Sequence, residues 1–206
     1  MGLGVLQELP LGIRFSERMA GSLVLDQTDP RTAAVSGQSA PSVMTLHATI
    51  TIPNLRAFIA DPTHTGMMSG AIDFAPMAAN MLCMKGVFRL FTPSGVKGLR
   101  WMVYEMGFAH DGSSYYLAGK KEVRAGSIFR LWSDTTTLFC YLHRGTETSG
   151  EIAGAGILRL GLGDFMRLLA TLRTVGARKF MDRLIAPTVF GWFFVQALWT
   201  TYVLRR

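Results

Sequence analysis

The sequence predicts a mainly β protein, an antiparallel up-and-down β-barrel of the lipocalin or calycin-like kind, with helices at the C-terminal end. Three observations predict it. Short segments of alternating apolar and polar residues recur from residue 13 to residue 160. Gly, Pro, Asp and Ser cluster between them, and helical spacing starts only near residue 164. Evenly spaced short strands with turn chemistry and no intervening helix read as a barrel or curled sheet. Closing the barrel also removes the edge strands that so apolar a sheet would otherwise expose.

The elements follow in order. Residues 1–12 read as a short helix or arm ending at Pro10 and Gly12. Ile13 to Leu25 is a strand, with Ile13, Phe15 and Met19 on alternate positions. Residues 26–43 are rich in Asp, Thr, Ser, Gly and Pro, and predict a long loop. Thr45–Ile52 sets Leu46, Ala48, Ile50 and Ile52 on one face against Thr45, His47, Thr49 and Thr51 on the other. Asn54–Ala60 reads as a turn or short strand, and Gly66–Phe74 and Met84–Phe91 as strands. The clearest hairpin joins Leu99–Phe108 to Tyr115–Val123 through His110-Asp111-Gly112, where Asp-Gly supplies the positive φ of a tight turn. Leu131–Leu142 and Glu151–Leu160 complete a set of about eight strands.

A barrel domain is therefore expected over residues 1–162 and a helical arm over 163–206. Asp164 is the expected N-cap of a first helix over Phe165–Arg173, ended by Gly176, and a second starts near Ala177. Leu184 to Leu204 is 21 residues without a charge, between Arg183 and Arg205-Arg206. That length meets the criterion for a membrane span of about 20 residues. Pro187, Gly191, Gln196, Thr200 and Thr201 speak against a span. The arm is expected to pack on the barrel, to form a homodimer interface, or to lie on a membrane surface, because a helix apolar on all sides must be covered.

Composition narrows the function classes. Charged residues are 17% of the chain, below the usual quarter, while apolar residues reach 49% and Met numbers 12. This favours large apolar contacts. The net charge is +7. Seven basic and two acidic residues lie between Asp164 and Arg206, so +5 of it sits there. These basic residues are interleaved with Leu, Phe and Trp, not gathered into a polar stripe, so no nucleic-acid partner is expected and an anionic lipid or acidic partner fits better. Cys83 and Cys140 match no metal or redox spacing, and fit buried thiols in a reducing cytoplasm. No signal peptide is read at the N-terminus. The expected location is the cytoplasm, with membrane association through the arm as the alternative.

No catalytic motif stands out. His47, His64, His110 and His143 form no metal-binding pattern, so neither a metal nor a cofactor is expected. Gly154 and Gly156 begin a glycine-rich run, but Arg159 replaces the third glycine of a dinucleotide loop and the context is all β. On Leu99–Phe108, Met102, Tyr104, Met106 and Phe108 share a face that is soft and apolar if it points inward. With Trp132 they are the expected ligand-binding residues. An eight-strand barrel is just wide enough to hold one small ligand. The catalytic candidates are Tyr104, Glu122 and Tyr141, the polar groups a cofactor-independent cyclase or isomerase would use to hold a folded substrate. Structural roles compete with these readings: Glu122 pairing a cation, Asp134 bonding a turn.

Four blocks carry a resemblance. Phe15-Ser16-Glu17-Arg18-Met19-Ala20-Gly21, then Gly119 to Arg124, Leu131 to Leu138, and Gly154 to Leu160 occur in order across residues 13–173. Together they resemble an accessory β region of bacterial cholesterol-oxidase-type proteins, within the glucose-methanol-choline oxidoreductase family. The chain lacks that family's flavin-binding fingerprint, so the resemblance transfers neither oxidase activity nor any catalytic residue. It implies association with sterol-like or other bulky apolar molecules, or an accessory role beside a flavoprotein. The leading expectation is a barrel that binds a bulky hydrophobic small molecule such as a sterol, lipid or polyketide.

Overall fold

The computed structural model describes residues 10–36 and 43–202. Eight antiparallel strands close into a barrel: β1 (Gly12–Leu25), β2 (Val43–Ile52), β3 (Thr65–Phe74), β4 (Ala78–Pro93), β5 (Leu99–His110), β6 (Ser113–Arg124), β7 (Thr137–Arg144) and β8 (Ile152–Arg159). Each pairs with the next in sequence. Closure comes from β1, which pairs with β2 from Ile13↔Ile52 to Ser22↔Val43 and with β8 from Ala20↔Arg159 to Leu25↔Gly154. The up-and-down barrel expected from sequence is the fold.

Alternation sets the interior. Ile13, Phe15, Glu17, Met19 and Leu23 of β1 are buried, as are Met44, Leu46, Ala48, Ile50 and Ile52 of β2. Three bulges in β4 shift its parity, two against β3 and one against β5. The last, between Arg89 and Thr92, buries both Leu90 and Phe91. An extra residue in one strand bends it and re-aims a side chain. Here it turns Phe91 toward the end of the barrel where β1 begins and β2 ends, called the mouth below.

The mouth is covered by helices. α2 (Leu55–Ala60) is capped by the Asn54 side chain, which accepts from the Ala57 N–H. α3 (Leu131–Thr136) precedes β7, and α5 (Asp182–Tyr202) lies across the opening. α5 places Phe190 against Phe15, Phe193 against Phe58, and Phe194 against Phe91, with ring centroids 5.9, 5.9 and 5.2 Å apart. Tyr202 closes its far end by donating to Asp134 at 2.8 Å. α4 (Leu162–Thr171) packs along β1.

Several expectations need correction. The loop over 26–43 contains α1 (Pro30–Ser36), which packs against β1, β7 and β8. Asp29 accepts from the Thr32 N–H at 2.7 Å, and Pro30 takes the first helical position, where its missing N–H costs nothing. Asn54–Ala60 is helical, not a turn or strand. So is the start of Leu131–Leu142, where the Thr135 and Thr136 hydroxyls bond back to the Leu131 and Trp132 carbonyls instead of favouring a strand. Asp164 lies inside the first turn of α4, paired to Arg18 and Arg167, and Gly161 is the N-cap. The second C-terminal helix starts at Asp182, not near Ala177. Between the helices, β9 (Arg173–Val175) adds to the sheet beside β1. The C-terminal segment thus packs against the barrel through β9 and α5. The arm expected at the N-terminus falls mostly on residues 1–9, outside the described residues.

Candidate functional site

Two polar features interrupt the apolar interior. The first spans the lumen. β1 and β5 stand opposite each other, four strands apart either way round. Glu17 reaches in from β1, Tyr104 from β5 and Lys121 from β6. Lys121 Nζ lies 2.7 Å from Glu17 Oε1 and donates to the Tyr104 hydroxyl at 3.0 Å. That hydroxyl donates to Glu17 Oε2 at 2.9 Å. Burial, then the adjoining carboxylate, push the Tyr104 phenol well above its usual pKa, so it stays a donor. Charge and hydrogen bonds are matched, as an ion pair taken out of water requires.

The lumen around this strut is filled. Met106 and Leu117 keep 1% of their surface, and Leu138 and Cys140 none. A void large enough for water would leave accessible area on its lining, so these side chains pack against one another. Gly119, the partner of Tyr104, is as crowded: a Cβ there would stand 2.9 Å from Leu138. Met102, Tyr104, Met106 and Phe108 are buried at the inward positions of β5 and act here as core.

The second feature is a crevice of about 290 Å³ at the mouth, between α5 and the rim. Ile59, Phe91, Phe193 and Ala197 form its apolar lining, and His64, Arg100, Gln196, Thr200 and Thr201 its polar one. The turn before β3 builds it. Asp61 accepts from the Thr63 and Thr65 N–H groups and the Thr63 hydroxyl, which hold its carboxyl down to about 2. This turn sets His64 at φ 45°. Beside it, Phe91 sits in the β4 bulge at φ 52°. The Leu90 N–H between bonds the His64 carbonyl at 3.2 Å. Arg100 pins the bulge by donating to the Phe91 carbonyl at 3.1 Å. Left-handed backbone at a bulky residue is costly, and persists where the surroundings enforce it.

His64 is wedged between Phe58 and Phe193, with centroids 5.7 and 4.9 Å away. Its Nδ1 is buried with no hydrogen-bond partner among the described residues. Burial lowers its pKa, so the ring is neutral at neutral pH. Nδ1 has no accessible surface, so a ligand hydroxyl or carbonyl in the crevice pairs with it only when the His64 ring turns outward, and that bond would remove the penalty of an unpaired buried atom.

The other expected residues lie elsewhere. Glu122 faces out from β6 and is bonded to Arg124 at 2.8 Å. Tyr141 faces out from β7 near His143, centroids 6.5 Å apart. Trp132 sits on α3, packed edge-on against Phe165. Tyr104, Glu122 and Tyr141 therefore share no site, and Trp132 does not line the lumen. Sequence reading missed Glu17, Lys121, His64 and Phe193. For Glu17 and Lys121 the signal was present: each is a charge at an inward-parity position of an otherwise apolar strand face. His64 and Phe193 meet only through tertiary packing. No group of three or more His, Cys, Asp or Glu able to hold a metal occurs among the described residues.

Compared with known proteins, the chain matches no family model, no curated protein and no solved structure. The fold and its sites therefore define the class: a closed eight-strand barrel with a helix-covered mouth.

Proposed function

We propose that this protein binds a bulky hydrophobic small molecule, of sterol, lipid or polyketide kind, at the mouth of the barrel beneath α5. The supporting observation is the mouth crevice, where the strained His64 and Phe91 stand beside Ile59, Phe193 and Ala197, with Arg100, Gln196, Thr200 and Thr201 as the polar part of the lining. Barrel mouths are a common place for such sites. The ligand's ring or chain packs on Phe91, Phe193 and Ile59, and one hydroxyl or carbonyl bonds His64 once its ring turns toward the crevice. The resemblance across residues 13–173 to a region that accompanies sterol-oxidising flavoproteins points the same way.

A thermal-shift panel of sterols, long-chain lipids and aromatic polyketides, followed by native mass spectrometry, tests this. A ligand at a hundred times its Kd stabilises by about 2.7 kcal/mol. The expected result is a raised Tm that His64→Ala and Phe193→Ala each diminish. A panel in which nothing stabilises the protein, or in which these variants respond like the parent, overturns the proposal.

A second reading concerns the outer face of α5. By length and composition this helix could cross a membrane, yet only 11% of its most apolar stretch is buried. Ile185, Trp192, Val195 and Trp199 follow helical steps of seven, three and four residues and are exposed, Trp192 by 70%, and Met181 just before the helix is exposed beside them. Arg178, Lys179 and Arg183 stand exposed at the start of this stripe. Trp and aliphatic groups beside cations suit an anionic lipid surface, where each cation adds about 1 kcal/mol. We infer that α5 lies in such a surface with the mouth crevice along its flank. Sedimentation with phosphatidylglycerol vesicles, and its loss in Trp192→Glu, is the expected result. Equal recovery with and without vesicles, or a concentration-dependent dimer that Trp192→Glu dissolves, overturns it.

A further inference from the structure

Outside the barrel, on a lining that shares no residue with the mouth crevice, four arginines from four segments converge on one concavity of about 280 Å³. Arg31 comes from α1, Arg124 from the end of β6, Arg130 from the turn before α3 and Arg159 from the end of β8. The lining includes Phe139 and Ile157 with the side chains of Ser133 and Thr137. Two carboxylates, Glu122 and Asp134, are also part of it. Four cations and two anions leave +2 in one concavity, in a chain where charged residues are only 17%.

The carboxylates are engaged. Glu122 accepts from Arg124 at 2.8 and 3.2 Å. Asp134 accepts the Tyr202 hydroxyl at 2.8 Å and stands 3.8 Å from Arg130. No carboxylate lies within 4 Å of the Arg31 or Arg159 guanidinium among the described residues. Arg31 is held flat instead, its carbon 4.6 Å from the centre of the Phe139 ring. Stacking fixes a guanidinium plane and leaves its N–H edge free to donate. Like charges brought together in a concavity repel unless an anion joins them. The planar fork of arginine matches phosphate oxygens two at a time.

We propose that this concavity is a binding site for a phosphate-bearing ligand, with the phosphate bridging Arg31, Arg130 and Arg159. The organic part would rest on Phe139 and Ile157. The phosphate is either that of a free phosphorylated molecule or that of an anionic lipid headgroup, since both present the same oxygens. The site is independent of the mouth crevice, so either can fail without the other.

The test uses the full chain and two probes, pyrophosphate for the free ligand and phosphatidylcholine vesicles containing phosphatidic acid for the lipid. Arg159→Ala, Arg130→Ala and the double variant alter exposed side chains and leave the barrel core untouched. Lys85→Ala, exposed on the opposite wall, controls for lost charge. Calorimetry is expected to give saturable binding of one probe, weakened about tenfold by each single variant and unchanged by Lys85→Ala. Binding of pyrophosphate assigns a free ligand, and binding of the vesicles alone, measured in Trp192→Glu so that α5 does not anchor the chain, assigns a headgroup. Absence of binding to both probes overturns the proposal. So does binding that all the variants, Lys85→Ala included, weaken alike, since that is general charge attraction. His64→Ala, which should leave both probes bound, separates this site from the crevice.

Discussion

Glu17 on β1 and Lys121 on β6 meet at 2.7 Å inside the barrel, with the Tyr104 hydroxyl bonded to both. This strut joins walls that are far apart in sequence and in the sheet. Removing one member leaves the other charge buried and uncompensated, which costs about 3–5 kcal/mol. Lys121→Met should therefore lower unfolding stability by about that amount in urea titration. Glu17→Leu and Lys121→Met combined with Tyr104→Phe should recover most of it, because no buried polar group is then left unpaired. A triple variant as weak as the single one would show that the strut is needed for more than charge balance.

Tyr202 holds the end of α5 by its bond to Asp134, and burial with that carboxylate pushes its phenol well above the usual range. The hydroxyl is therefore a donor at any ordinary pH. Tyr202→Phe removes one charge-assisted bond, worth about 1.5–3 kcal/mol, from the helix covering the mouth. The expected effect is local. Trypsin should cut sooner at Arg183, and amide exchange along α5 should rise while exchange in β5 and β6 stays slow. Equal acceleration everywhere would mean that α5 and the barrel open together.

Acid sensitivity should come in two windows. The folded pKa of His64 is lowered, so the unfolded chain takes its proton first. The stability it contributes is present above its unfolded pKa of about 6.5 and is lost as pH falls below it. The Thr63 and Thr65 donors hold the folded Asp61 carboxyl down to about 2, from its usual 3.8. Its contribution is present above the unfolded pKa and is lost as pH falls from there through about 2. Melting curves from pH 7.5 to 2.5 should therefore show a shallower upper slope in His64→Gln and a shallower lower slope in Asp61→Asn. A parent-like slope in either variant would assign that window to other groups.

The barrel was legible because strand alternation survives even where function does not depend on it. Leu46, Ala48, Ile50 and Ile52 face inward as their spacing implies. The misread segments are short helices whose signals are local: Asp29 before Pro30, and Asn54 after Pro53. The Thr-rich run after Asp134 hides another, since β-branched residues favour strands on average. The trio in the lumen was half visible, because Tyr104 was placed on the inward face while Glu17 and Lys121 were not singled out. The mouth crevice could not be read at all. It depends on the β4 bulge at Phe91, the left-handed His64 and a helix more than a hundred residues away, and none of these leaves a mark in local periodicity.

Cys83 and Cys140 report whether the barrel opens. Both are fully buried, and burial raises each thiol to about 12. At pH 8 almost none of either is thiolate, the form that attacks a disulfide reagent. The native protein should therefore leave both unreacted over minutes, and the denatured chain should release two equivalents. Intermediate behaviour is informative. If ligand entry at the mouth requires α5 to lift, Tyr202→Phe should speed labelling and a bound ligand should slow it. If labelling instead follows global unfolding alone, its rate should track urea stability across Lys121→Met and Tyr202→Phe, and α5 would be a fixed part of the core.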